Sequence, residues 1–132
     1  MSQENAELVR RNNDAYNRRD LRGYLDTVSK SVRFRSRFSA MDNRGYRGHD
    51  DLRQYFVELD EAWERYKMNL QRVVETGAKV VGLFHLEAVG RGSGLELEEY
   101  PGVVFTVEAR RIVQIDAYPT HAEALEAVGL SE

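Results

Sequence analysis

The spacing of apolar residues changes along this chain, and each change predicts a different kind of element. From residue 4 to 18, Leu8, Val9, Ala15 and Tyr16 recur at helical spacing with arginines elsewhere, which predicts an amphipathic helix. Asp20 stands where it can cap a second, short helix carrying Leu21, Tyr24, Leu25 and Val28. The run "SVRFRSRF" then switches to period two, the mark of a strand. Val32, Phe34, Ser36 and Phe38 share one of its faces, and Arg33, Arg35 and Arg37 share the other.

The helical period returns after Gly48. Leu52, Tyr55, Phe56 and Leu59 fall at i, i+3, i+4 and i+7 and form one apolar stripe, with Trp63 near the helix end packed on the core. His49 or Asp50 is the expected N-cap, and Asp50 and Asp51 suit the positive end of the helix dipole. Beyond Trp63 strands are expected over 68–76, 79–91, 95–107 and 110–118, broken by turn chemistry at Gly77 and "GRGSG". Thr120 with Glu123 forms a capping box that opens a last short helix, which ends before Gly129. Helices first and then an antiparallel meander predict an α+β domain, a single one spanning 1–132, with helices packed on one face of a curved sheet.

Strand 79–91 changes the picture beyond the single chain. Val80, Gly82, Phe84, Leu86 and Ala88 form one face, and Val81, Leu83, His85, Glu87 and Val89 form the other. Both faces are largely apolar, so both are expected to be covered. Helices on one face leave the other for a partner, and a homodimer through the outer sheet face is the economical expectation.

Composition narrows the chemistry. Its 132 residues suffice for one core without disulfides, and zero cysteines exclude disulfide frameworks, thiol nucleophiles and cysteine metal sites. No apolar run is long enough to span a membrane, and "MSQENAELVRR" lacks a signal-peptide core, so a soluble cytoplasmic protein is expected. The net charge of −3 speaks against nucleic acid as a partner. Residues 1–53 hold 12 Lys and Arg against 8 Asp and Glu, and the remainder 7 against 14, so the two halves carry opposite signs.

Candidate chemistry is sparse. His49, Asp50 and Asp51 are adjacent on a helix start and point apart, which suits capping better than catalysis. His49, His85 and His121 lie on separate elements without HxH or HExxH spacing, so neither a metal nor another cofactor is expected. No GxSxG, P-loop or GxGxxG is present. The arginine row reads as solvated or dimer-flanking, with Glu96 and Glu98 as its acidic neighbours. Three polar features remain. Ser36 is the one hydroxyl on an apolar face; one of Asn12 and Asn13 must lie near the apolar stripe; and a tyrosine among 16, 46, 55, 66, 100 and 118 that faces a cavity can polarise a ligand carbonyl.

The helix start "YRGHDDLRQYF", the hairpin "GRGSGLELEE" and the ending "AYPTHAEALEAVGL" follow the two early helices in an order that resembles the SnoaL-like branch of the NTF2-like superfamily, over about residues 8–130. That superfamily includes ketosteroid isomerases, limonene-epoxide hydrolases, polyketide cyclases, scytalone dehydratase and noncatalytic association domains. The resemblance implies a cone in which a curved sheet wraps a long helix and leaves an inner pocket. It also implies a small-molecule pocket protein, either an isomerase-, cyclase- or dehydratase-type enzyme or a noncatalytic ligand-binding or protein-association domain.

Together with the alternation, the resemblance implies a pocket lined by Asn12, Tyr16, Phe34, Ser36, Tyr55, Trp63, Phe84, Leu86, Val103 and Phe105. Catalytic residues do not carry over. The isomerase base falls on Ser36, the first oxyanion donor on Asn12 and the second near Val103, and all three differ in type. The pocket-facing aspartate of the epoxide hydrolases falls on Ala117, with Asp116 on the opposite face. Proton abstraction from carbon by Ser36 is thereby excluded as a mechanism, since a serine without a base beside it cannot do it at neutral pH.

Overall fold

Asp20 starts the second helix as its position predicts: its carboxylate accepts from the Gly23 N–H at 3.0 Å. The computed structural model describes residues 2–36 and 45–131, and in it α1 (Ser2–Asn17) and α2 (Leu21–Leu25) precede β1 (Val28–Arg35). The chain continues through β2 (Tyr46–Arg47), α3 (Gly48–Ala62), β3 (Trp63–Thr76), β4 (Lys79–Gly90), β5 (Glu96–Glu99), β6 (Gly102–Glu108), β7 (Arg111–Tyr118) and α4 (His121–Ala127). Arg37 and Phe38, the predicted end of the first strand, lie outside the described residues.

The strands form one sheet in the order β2-β1-β7-β6-β4-β3, with β5 added beside β4. β3, β4, β6 and β7 make the expected antiparallel meander, and β1 joins β7 in parallel, so the sheet is mixed. β2 and β3 stand at its ends, and the sheet curves without closing. α1, α2 and α3 fill its concave side. Val9, Leu52 and Leu86 are fully buried there, and Tyr24, Phe84 and Phe105 nearly so. The result is the α+β cone.

Several expectations are corrected by the backbone. The strand expected over 95–107 is two strands, because Pro101 has no N–H to give to a ladder. Its carbonyl still accepts from Phe84 N–H at 3.0 Å, so β5 and β6 both lie against β4, on either side of the break. Trp63 stands at the helix end and packs on the core as expected, capping α3 and beginning β3, half-buried, with its ring 5.6 Å from that of Tyr66. The N-cap of α3 is Arg47, not His49 or Asp50. Gly48 follows it at φ +78, a conformation that favours glycine, and Asp51 reaches back to accept from the Arg47 N–H at 2.8 Å. Thr120 and Glu123 form the predicted capping box on α4, with Glu123 N–H donating to the Thr120 hydroxyl at 3.1 Å.

The second face of β4 finds its cover inside the same chain. Val81, Leu83 and Val104 form a separate small core with Ala124 and Leu125 of α4. The helix approaches so closely that a Cβ on Gly102 would collide with Ala124 Cβ and come within 3.2 Å of the Thr120 carbonyl. Val81 and Leu83 therefore need no second copy to bury them.

Candidate functional site: a tyrosine-lined cavity in the cone

The inward faces of α1, α3 and the sheet meet around a cavity of about 50 Å³. Of the residues expected to line it, Asn12, Tyr16, Phe34, Tyr55, Phe84, Val103 and Phe105 are on its wall. Ser36, Trp63 and Leu86 are not. Ser36 is buried but follows the end of β1. Trp63 packs on Tyr66, and it is Tyr66 that reaches the wall. Leu86 points inward like Phe84 but is fully buried farther along β4, beside β5. The wall also includes Asn13, Tyr24, Met68, Ile115 and Ala117.

The polar content of this wall is phenolic. Tyr16 on α1 and Tyr55 on α3 bring their hydroxyls within 2.7 Å of each other. Each ring is held by aromatic neighbours: Tyr16 lies edge-on to Phe56 at 6.0 Å, and Tyr55 edge-on to Phe34 at 4.9 Å. Burial pushes both phenols well above their ordinary pKa; the neighbouring phenols add to the rise at Tyr16, whereas at Tyr55 the hydrogen bond with Tyr16 partly opposes it. Burial also raises Tyr24, partly opposed by a hydrogen bond from Asn12. All three are therefore neutral hydrogen-bond donors at physiological pH. In the Tyr16–Tyr55 pair one O–H is consumed between the two oxygens, and the other has no hydrogen-bond partner among the described residues.

The buried asparagine has its partners in the protein. Asn12 Nδ2 donates to Thr27 Oγ1 at 2.9 Å, and Thr27 Oγ1 donates to the Tyr24 carbonyl at 2.6 Å. Asn17, one turn on, grips β3 through both backbone groups of Met68: its Nδ2 donates to Met68 O at 2.7 Å and its Oδ1 accepts from Met68 N–H at 2.9 Å. Arg19, at φ +57, donates to the Tyr16 and Tyr66 carbonyls at 2.6 and 2.9 Å, with its guanidinium 5.4 Å from the Tyr16 ring centre. These contacts fix the end of α1 against the strand that bounds the cavity.

The remaining candidates lie away from it. The His49 ring is 3.3 Å from Val28 O, Asp50 pairs with Arg53 at 2.7 Å, and Asp51 serves the helix start, so the three neighbours diverge. His85 lies on the outer sheet face, 2.6 Å from Glu98, and His121 is 2.9 Å from the Phe84 carbonyl. Among the described residues no group of three His, Asp or Glu side chains is arranged to hold a metal ion. Arg33 and Arg35 are exposed, but their neighbours across the ladders are Arg47, Gln114 and Asp116, not Glu96 and Glu98. Among the described residues no helix is long and apolar enough to cross a membrane.

The SnoaL-like domain family matches residues 9–115. A search of curated proteins finds no match. Among solved structures, an NTF2-like protein of unknown function from Burkholderia pseudomallei is 21% identical with a TM-score of 0.80, covering 98% of this chain and 99% of that one. A protein named as a candidate polyketide cyclase from Xanthomonas campestris is 17% identical with a TM-score of 0.79, over 97% and 98% of the two chains. TerC, co-crystallized with polyporic acid, is 13% identical with a TM-score of 0.78, over 93% and 96%. The family match spans most of the chain, so this chain belongs to the SnoaL-like domain family, and it shares its fold along its whole length with the NTF2-like protein above.

Proposed function

We propose that this protein binds a small, largely apolar carbonyl compound in the cone and polarises its carbonyl through the Tyr16–Tyr55 pair. The observation that carries the reading is the 2.7 Å contact between two buried, neutral phenols on an otherwise apolar wall. A donor whose own oxygen accepts a second hydrogen bond is strengthened, and in an apolar setting it supports charge developing on a carbonyl oxygen. TerC with polyporic acid, and the polyketide-cyclase name of another neighbour, suit a ligand of this kind.

The wall supplies electrophilic help and little else. Among the described residues it carries no carboxylate, imidazole or amine, and the positions where the resemblance seeks carboxylates hold Ser36, Val103 and Ala117. A reaction here draws on a polarised carbonyl and takes its proton acceptor from the substrate or from water. Without one, the same site is a binding pocket.

The test uses Trp63, the only tryptophan, whose ring packs on wall residue Tyr66. Its fluorescence should respond to acetophenone more strongly than to ethylbenzene, which has the same ring and no carbonyl. Tyr55→Phe should weaken the ketone by about five- to tenfold, the worth of one buried hydrogen bond, and leave the hydrocarbon unchanged. Equal affinity for the two compounds in the wild type would rule out the carbonyl role. Native mass spectrometry from a cell extract would then seek the physiological ligand without a prior guess.

A further inference from the structure

The arginine row of β1 serves neither the core nor the cone. Arg33 and Arg35 point out of the sheet, since Phe34 between them is buried on the inner side. The ladders on either side bring further charge to them. Arg47 of β2 is the direct partner of Arg33, and Gln114 and Asp116 of β7 stand beside Arg33 and Arg35. Directly opposed residues of an antiparallel pair have Cα atoms about 4.5–5.5 Å apart, so two guanidiniums leave the sheet side by side on one face. Like charges opposed in this way are destabilising until an anion comes between them.

Two carboxylates lie close, and neither fills that role. The three arginines, Gln114, Asp116 and Asp51 of α3 surround a hollow of about 330 Å³ at the β2 end of the sheet. Asp116 accepts from Gln114 Nε2 at 2.7 Å, and Asp51 accepts from the Arg47 N–H at 2.8 Å. Among the described residues no hydrogen bond or ion pair reaches the guanidinium of Arg33, Arg35 or Arg47. Each keeps its N–H donors for something outside the chain. Their placement selects a shape. Arg35 lies two residues, about 6.6 Å, along the strand from Arg33, while Arg47 is abreast of Arg33, so the three charges form a triangle. A carboxylate offers two oxygens in one plane, and one guanidinium fork satisfies them. A phosphate monoester offers three terminal oxygens in a pyramid and nearly two negative charges.

We propose that this hollow binds a small phosphate monoester, with Arg33, Arg35 and Arg47 each donating to one terminal oxygen of the phosphate. Its volume falls in the range of small-molecule sites, about 300–1,000 Å³, and leaves room for the organic group. Asp51 and Asp116 repel the phosphate from the rim they occupy and so hold it among the arginines. The same carboxylates accept from hydroxyls of the organic group, which favours a polyol phosphate. The arginines stand on the opposite side of the sheet from the cone, so the site is independent of the carbonyl reading.

Calorimetry with two probes tests it, at low salt and pH 8, above the second phosphate pKa of about 6. Glycerol 2-phosphate is the monoester, and dimethyl phosphate is a monoanion with two free oxygens. Wild type should bind the monoester about tenfold or more tightly than the diester. Arg33→Gln and Arg47→Gln should each weaken the monoester by about tenfold or more, as expected on losing a charge-assisted hydrogen bond. Arg72→Gln removes the same charge from the same face of the sheet, at the far strand β3, and should change that affinity by less than about twofold. Neither Arg33→Gln nor Arg47→Gln should lower the melting temperature, because each relieves an opposed pair. No binding of the monoester by wild type, equal affinity for the two phosphates, or equal losses from Arg72→Gln and Arg33→Gln would reduce the row to a diffuse positive surface. A fall in melting temperature in step with the loss of binding would assign these arginines to the fold instead. Either result overturns the site.

Discussion

Tyr16, Tyr24 and Tyr55 connect the cavity's chemistry to the stability of the fold. Each phenol is buried, and each pKa is raised above the ordinary value by that burial. A group whose folded pKa is raised contributes stability that is fully present below its unfolded pKa and is lost as pH rises through the folded one. The unfolded phenols ionise near pH 10 while the folded ones stay protonated. Stability should therefore hold to about pH 9.5 and then fall by about 1.4 kcal/mol per pH unit for each of the three phenols. Urea unfolding between pH 8 and 11, with Tyr24→Phe as a variant of smaller slope, measures this. A flat profile through pH 11 would mean the phenols ionise in the folded state and are not the neutral donors the site requires. Tyr16, Phe34 and Tyr55 were legible in the sequence because each lies on the inward face of a strongly periodic element. Tyr66 and Met68 were not: they sit beside the junction at Trp63, where helix becomes strand without a loop and neither period extends far enough to be read.

At the scale of elements, the β6–β7 turn exposes the limit of turn signals. Glu108 pairs with Arg111, so Ala109 and Arg110 form a two-residue hairpin loop, and both have positive φ, 49° and 64°. Such a loop ordinarily calls for Asn-Gly or Asp-Gly, because a Cβ in the left-handed region crowds the backbone. The double variant Ala109→Asn/Arg110→Gly should raise stability by about 1 kcal/mol or more and leave ligand binding unchanged, as read by urea unfolding. No gain would mean the turn relaxes to negative φ in solution. The sequence announced the turns at Gly77 and "GRGSG" through glycine; the break between the strand patterns ending at 107 and starting at 110 was legible too, but nothing in "EAR" signals its two positive φ values. The helix starts show the same contrast. Asp20 and Thr120 cap as their side chains predict, whereas α3 begins at Arg47 because Gly48 supplies the backbone bend and Asp51 the acceptor.

For the whole molecule the question is what the outer sheet face does. The apolar residues that suggested a homodimer, Val81 and Leu83, are covered by α4, so Leu83→Glu should strike the fold rather than an interface. Beyond α4 the outer face is polar and divided by sign. β3 presents Arg65 and Lys67 on one side of β4, and β5 presents Glu96 and Glu98 on the other. A twofold axis running along β4 would lay the basic strand of one copy over the acidic strand of the next, so the face is self-complementary in charge. We expect a homodimer held in this way, of about twice 15.2 kDa by light scattering at low salt and weakened at high salt, since exposed ion pairs are worth only about 0–1 kcal/mol each and are screened. Arg65→Glu and Glu96→Lys should each shift the molecule toward monomer without lowering its melting temperature, and the double reversal should restore the dimer. Monomer mass at low salt in the wild type, or a double variant no better than either single one, would show that the face is merely solvated.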